Sequence, residues 1–365
     1  MAQFLNSDVV IKSDGVEVEG IQQMTLDINI DAIASRFSLS FSARPPLGDH
    51  APLEIFLHDQ LRLTGFAEAD VGGEDKDKDS FTVSGRSKTA DLIAGCVVHD
   101  SGEWLNQDLA GIARDIVAPF ESRLSVRGGV GAPFSTFKVS TSEKAQAALR
   151  RLADNRGLVI RDTPRGDVLI SSPVWSEATS GLIRRLKKDA FDHNVLRSNV
   201  KRDNSKRHDV VIVRGQSEGW DLGSIQIEGR AYDKNIKRYR PLILSANKGV
   251  TKSDAQNLAE WEVARRLGEA LTWRGKVRGW RQGETGNLWD VGYLVPVLDE
   301  KYGVDARLLV TSVSFLLSPG EGAVTELTLQ PPDAFLPKPM ITETGPSTQP
   351  WARVAAEVQA ANVKQ

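Results

Sequence analysis

LEIFLHDQLRLTGFAEADVGGEDKDKDSFTVSGRSKTADL, residues 53–92, is matched in order by LVPVLDEKYGVDARLLVTSVSFLLSPGEGAVTELTLQPPDAF, residues 294–335. Each opens on a strand pattern ending near an aspartate and passes a short connection into a long strand. Each then has a glycine-containing charged tip, a further strand and an exit toward a short apolar segment. Apolar and polar residues alternate with period two, which puts one face in a core and the other in water. Few identities are shared, so the order itself carries the reading. It points to a duplication, and hence to two similar antiparallel β-barrel domains in a mainly β chain.

Outward from the first copy the pattern continues. Met24, Leu26, Ile28 and Ile30 alternate with Thr25, Asp27 and Asn29, and Phe37, Leu39 and Phe41 alternate with Arg36, Ser38 and Ser40. Leu53, Ile55 and Leu57 follow, and His58-Asp-Gln60 predicts a tight turn before Leu61 and Leu63. The run VGGEDKDKDS, 71–80, reads as a solvated hairpin tip, and its acids lack the spacing of a calcium loop. GRSKT, 85–89, invites comparison with the phosphate-binding pattern GxxxxGK[ST]. Ser87 and Thr82 stand where that pattern needs glycine, so the segment reads as a strand turning into a short helix.

A different texture follows. Asn106 is placed as the N-cap of a helix whose stripe is Leu109, Ile112, Ala113 and Ile116, stopped by Pro119. STSEKAQAALRRLADNRG offers a capping box from Ser140 to Glu143, an apolar face of Ala145, Ala148, Leu149 and Leu152, and a terminal Gly157. A hairpin is expected around Thr163-Pro-Arg-Gly166. From Asp209 the β texture returns. One helix interrupts it, in TKSDAQNLAEWEVARRLGEA, with Leu258, Trp261, Ala264 and Leu267 roughly on one side. The expected organisation is a first barrel at 1–98, an α/β insert at 99–176, a connector at 177–208 and a second barrel with one helix at 209–338. An extended tail at 339–365 ends in a short helix whose stripe is Trp351, Val354 and Val358, a candidate partner-docking face. The fold class is mainly β with an α/β insert, α+β overall.

Composition excludes more than it assigns. Length implies two or three domains. The 46 basic and 48 acidic residues nearly cancel, against a general polyanion binder. A single cysteine, Cys96, rules out an internal disulfide framework and reads as a small buried apolar side chain. Five scattered histidines give no metal-ligand spacing, so no metal and no cofactor are expected. No run is long enough to span a bilayer and no signal sequence opens the chain, so no membrane anchor is expected, and the protein is expected to stay in a reducing compartment or leave it by a route other than secretion. Catalytic signatures are missing. A carboxylate pair such as Glu103 with Asp108 is not singled out by spacing. Trp104, Trp220, Trp273, Trp280 and Trp289 fall at strand ends or turns, where a ring covers an edge or packs a core.

The strongest charge feature lies between Arg184 and Arg207, where nine Lys or Arg meet three Asp. Arg184, Arg185, Lys187, Lys188, Lys201, Arg202, Lys206 and Arg207 are candidates for a surface facing DNA. The bland alternative is a solvated connector compensated by acids elsewhere. A channel wall that passes DNA without gripping it satisfies both.

GRSKTADLIAGCVVHDSGEWLNQDLAGIARDIVAPF, 85–120, resembles the baseplate hub family of Mu-like phages, relatives of the hubs of other contractile tails. The likeness resumes at KRYRPLILSANKGVTKSDAQNLAEWEVARRLGEA, 237–270, and GNLWDVGYLVPVLDEKYGVDARLLVTSVSFLL, 286–317. The resemblance implies a structural virion protein of the tail baseplate, assembled in the host cytoplasm, with no catalytic residues. It implies a homotrimer of paired barrels, so that six nearly equivalent positions surround a channel for DNA and a three-fold spike meets a six-fold tube. Spike and tube proteins are the implied partners. A nucleic-acid-binding module using the basic connector and a cell-wall-degrading tail enzyme remain as competing readings.

Overall fold

The computed structural model describes residues 8–75, 78–187, 192–216, 226–246 and 251–339. Two compact units are present. The first takes Met1–Ala153, Leu158–Val200 and Trp273–Leu329; the second takes Asp154–Gly157, Lys201–Thr272 and Gln330–Gln365.

The first unit begins with β1 (Val9–Ser13), β2 (Val16–Glu17), β3 (Ile21–Asn29), β4 (Arg36–Phe41), β5 (Pro52–Leu57), β6 (Gln60–Asp75) and β7 (Lys78–Ser87). The expected alternation is present. Met24, Leu26, Phe37, Leu39, Leu53, Ile55 and Leu57 are all buried, and their strand neighbours face out. His58 and Asp59 turn β5 into β6 with positive φ of 46° and 63°, the backbone of a two-residue hairpin turn. The β6–β7 ladder reaches well into the charged run, from Val71 opposite Thr82 to Asp75 opposite Lys78, with residues 71–73 exposed.

After β7 comes a 3-10 turn, Lys88–Ala90, and α1 (Asp91–Ala94). GRSKT is therefore a strand exit. Ser87 and Thr89 are buried and their hydroxyls lie 2.9 Å apart. The Ser35 N–H donates to Ser87 Oγ at 3.0 Å and to Asp162 Oδ2 at 2.9 Å. The hydroxyls that a nucleotide-binding loop would offer to a ligand are spent on the protein's own backbone.

The insert follows with β8 (Glu103–Gln107), α2 (Leu109–Val117), β9 (Leu124–Arg127), β10 (Phe134–Lys138), α3 (Ala145–Asp154), β11 (Val159–Asp162) and β12 (Val168–Ser171). Both helical stripes read from the sequence are buried in one cluster with Trp104, Phe137 and Ile170. The cap of α2 differs from expectation. Asp108, not Asn106, accepts the Gly111 N–H at 2.6 Å, while Asn106 ends inside β8 with φ 49°. The carboxylate two residues on, directly before the stripe, supplies the cap. At α3 the Glu143 arm of the box is made, Ser140 N–H to Glu143 Oε2 at 2.8 Å. Cys96 is half-buried, with Sγ facing the Ser142 carbonyl at 3.4 Å.

The second repeat comprises β13 (Ser176–Glu177), β14 (Leu182–Arg184) and β15 (Val195–Arg202). It resumes after an interruption that carries β16 (Val210–Gln216), β17 (Gln226–Tyr232), β18 (Pro241–Ser245) and α4 (Lys252–Glu269). It closes with β19 (Leu271–Arg278), β20 (Tyr293–Asp299), β21 (Val304–Ser318), β22 (Gly322–Gln330) and a 3-10 turn, Pro332–Phe335. Strand, turn, long strand, tip, strand and 3-10 turn thus recur in full. The order β1-β5-β6-β7-β4-β3 in one repeat corresponds to β14-β20-β21-β22-β19-β15 in the other. One departure is direction: β1 is antiparallel to β5, whereas β14 is parallel to β20.

The repeats are not two separate closed barrels in their strand pairing. One ladder runs β15-β19-β22-β21-β3-β4-β7-β6-β5-β1-β2, and among the described strands no pair joins its ends. The cause is β3, which pairs with β4 on one edge and with β21 on the other. Leu26 lies opposite Phe315 and Ile28 opposite Val313, all buried, so the seam is apolar.

In the second unit, β16 lies between β17 and β18, and α4 covers one face through Ala255, Leu258 and Ala259 against Val211, Val213 and Ile227. The capping box of Thr251 and Asp254 starts that helix. Its buried face includes Glu262, whereas Leu267 is 41% exposed, so the expected stripe is rotated. Arg265 and Arg266 both pair with Glu262, which lets a carboxylate sit in the face.

Candidate functional site

The basic connector divides between the two units. Arg184 ends β14, opposite Asp299 in the parallel ladder, and its Nη1 is buried without a hydrogen-bond partner. Arg185 is committed to carboxylates: Asp192 at 2.6 Å and Glu300 at 2.7 Å. Those contacts raise the Arg185 pKa and hold Asp192 below the usual carboxylate range. Glu300 is lowered too, first by the Leu186 N–H and then by Arg185. Lys187 is exposed, and Lys188 lies outside the described residues.

In the second unit, Lys201, Arg202 and Lys206 are exposed. Lys201 stands 3.4 Å from Asp203, whose pKa is held down to about 2, chiefly by hydrogen bonds from Ser205. The Lys206 carbonyl accepts from Arg266 Nη1 at 2.7 Å. Arg207 is different. Its side chain is 11% exposed and forks onto Asp233, itself 6% exposed, at 2.7 and 2.9 Å. Sequence reading missed this because the compensating acid is distant in the chain. The stripe Trp351, Val354 and Val358 lies outside the described residues.

Sequence reading also missed a basic groove and a sheet edge. On β19 the alternation Arg274, Lys276, Arg278 faces out, and Arg274 and Lys276 line a groove of about 440 Å³ with Arg197 and Asn199 of β15 and with Glu326 and Thr328. Lys276 in that groove is paired with Glu321 at 2.8 Å and Glu326 at 3.2 Å. The sheet edge is the outer half of β6, where residues 68–73 are exposed. Glu68 there holds Arg86 through two bonds of 2.7 Å.

The interior of the second repeat carries a polar bridge. Asp299 on β20, fully buried, accepts from Ser198 Oγ on β15 at 2.6 Å and from Trp273 Nε1 on β19 at 3.0 Å. The carboxylates raised as an imaginable catalytic pair have structural roles: Glu103 pairs with Lys138 at 3.1 Å and Asp108 caps α2. Among the described residues no group of three His, Cys, Asp or Glu could hold a metal ion, and no helix is long and apolar enough to cross a membrane.

Comparison with known proteins identifies the family. Residues 89–172 match the second domain of the gp44-like baseplate hub proteins, and residues 251–338 match the fourth domain of the Mu phage baseplate assembly protein GpP. The chain is 30% identical over 351 residues to the baseplate hub protein gp44 of Escherichia phage Mu, covering 91% of this chain and 90% of that protein. The crystal structure of the 43 kDa tail protein of prophage MuSo2 from Shewanella oneidensis superposes with a TM-score of 0.79 at 26% identity, covering 90% and 99%. The fold is also that of the tail protein from Neisseria meningitidis MC58, with a TM-score of 0.76 at 20% identity and coverage of 91% and 98%. A strand-rich chain whose buried acids and hydroxyls serve its own structure thus belongs to the baseplate hub protein family of Mu-like phage tails.

Proposed function

We propose that this baseplate hub protein acts as a three-chain ring joining spike to tail tube, leaving a passage for DNA and carrying out no chemical step. The observation that supports the reading is the internal repeat. Three chains with two equivalent strand repeats each offer six similar positions, the number needed to meet a six-fold tube from a three-fold spike. Each repeat would curl as a barrel about its own core. In the second repeat the bridge from Asp299 to Ser198 and Trp273 links strands on opposite sides of the sheet path, as a curled sheet requires.

Light scattering of the purified full chain over a range of concentration tests this. A three-chain mass is expected; a single chain at every concentration overturns the ring. The tail is read as a clip onto a partner through Trp351, Val354 and Val358. Truncation after Pro339 is expected to leave thermal unfolding unchanged and weaken assembly, and undiminished assembly disposes of the clip.

Passage without grip is the reading for DNA. Lys187, Lys201, Arg202 and Lys206 are the solvent-facing connector residues that could line such a channel. Replacement of Lys187 and Lys206, which lie outside β15, by glutamate is expected to impair delivery more than folding, and unchanged delivery removes them from the channel. Arg207→Glu is unsuitable for that test, because it would set a second acid against buried Asp233.

A further inference from the structure

The two long strands are covered unequally. On β21, β20 pairs with Val304–Leu309, and β3 then takes the same edge from Ser312 to Leu317. Ile30 N–H to the Thr311 carbonyl, 2.9 Å, extends that seam. On β6, β5 pairs with Gln60–Phe66 and β7 occupies the opposite edge from Gly65 to Asp75. From Ala69 onward no described strand takes the place that β3 takes on β21. Val71 is accordingly 65% exposed, whereas Val313 and Phe315 are fully buried.

The counterpart of β3 in the second repeat is β15, and it ends the sheet with one edge on β19 and the other without a described strand. The two edges without a strand partner differ in charge. β15, VLRSNVKR, carries Arg197, Lys201 and Arg202 and no acid, with Lys201 3.4 Å from Asp203; the segment Glu68–Asp75 carries four acids and no base, of which Glu68 holds Arg86 and Asp70 lies 3.8 Å from Arg44. Charge on an exposed edge discourages indiscriminate pairing, but protection alone does not require the two edges to be complementary. Gly72 and Gly73 also leave room for a close neighbouring backbone.

We propose that β15 of one subunit adds to the outer half of β6, Ala69–Asp75, of the next, as β3 adds to β21 within the chain. The partner is a second copy of this chain and the contact is heterologous, so repetition closes a ring when the rotation returns to its start. The inference rests on the ring reading and names its joint. It assigns Lys201 to subunit contact rather than to the DNA passage. The joint inside the chain is apolar, whereas the joint between chains is ionic, so that each subunit stays soluble before assembly.

The test is the mass of the full-length protein by light scattering, at fixed concentration and increasing salt, for four chains. These are the wild type, Arg197→Glu with Lys201→Glu, Asp70→Lys, and all three changes in one chain. The wild type is expected as a three-chain species that dissociates as salt rises. Each one-sided exchange is expected to weaken association about tenfold or more, and the combined chain to recover it. All altered residues are exposed, and an unchanged unfolding temperature for each variant excludes misfolding as the cause. If the three-chain species persists through both one-sided exchanges, the joint is elsewhere and the ring stands. If the wild type remains a single chain under every condition, ring and joint fall together.

Discussion

The two repeats use one strand plan with opposite choices at matching places. Where β4 meets β7, Phe37 lies opposite Gly85; where β19 meets β22, Gly275 lies opposite Leu327. The bulky residue has changed strands, and a glycine receives an aromatic ring in each case. A Cβ on Gly85 would come within 2.7 Å of the Phe37 ring, and one on Gly275 within 2.0 Å of the Trp273 ring. At the inner end of the first hairpin strand, Leu57 in one repeat is Asp299 in the other, both fully buried. The plan therefore fixes which strands pair, while each interior is filled by its own complementary set. Residues at equivalent places are not interchangeable.

The most damaging exchange should be Gly85→Leu, which copies the second repeat into the first. The new Cβ would sit 2.0 Å from the Phe66 carbonyl oxygen, a backbone atom with no room to yield. A loss of about 3 kcal/mol or more is expected in urea unfolding, with little soluble protein. Adding Phe37→Gly should not rescue it, because the carbonyl remains; full rescue would show that side chains alone set the difference.

Phe315→Ala comes next, at about 3–5 kcal/mol. Its ring is edge-on to Trp280 and beneath Arg62, 5.5 Å from the guanidinium carbon. It also lies opposite Leu26 on the seam that joins the repeats. Hydrogen exchange should show β3 and β21 opening together, and independent opening would mean the repeats are only loosely joined.

Asp299→Leu, which copies Leu57, should cost about 2–3 kcal/mol by chemical unfolding. It strands the buried Trp273 N–H and Ser198 O–H that Asp299 accepts. A neutral result would mean that the polar bridge is replaceable by packing.

The smallest effect concerns the exit of the first repeat, where Asp162 of the insert receives the Ser35 N–H; burial raises its pKa. A carboxyl whose folded pKa lies above its unfolded value favours the folded state most below the unfolded pKa. That contribution is lost as pH rises through the folded pKa. Asp162→Asn should therefore gain on the wild type as pH rises across this window. Parallel stability curves for the two proteins would contradict this.

The sequence revealed local order well. Alternation at Met24–Ile30 and Phe37–Phe41, the stripes of α2 and α3 and the box at Thr251 depend on neighbours within a turn or a pleat, so short-range pattern suffices. The order of the repeated strands was legible for the same reason. What could not be read was who borders whom across long separations. Nothing near Leu26 announces Phe315, and nothing near Arg207 or Arg185 announces Asp233 or Glu300. The basic connector looked uniform because charge is visible in sequence, whereas compensation is visible only in space.

One connection in the repeat has been stretched without breaking the sheet. The link from β3 to β4 is Ile30–Ser35, whereas the matching link from β15 to β19 contains residues 203–270 and an entire sheet and helix. Asp203 N–H donates to the Ala270 carbonyl at 2.8 Å, so this module leaves by the door it entered. Once folded, it presents its two ends side by side, and the loop entropy of a long excursion is replaced by that of a short one. A module folded first would leave β15 and β19 to meet across a gap no wider than that of a short hairpin.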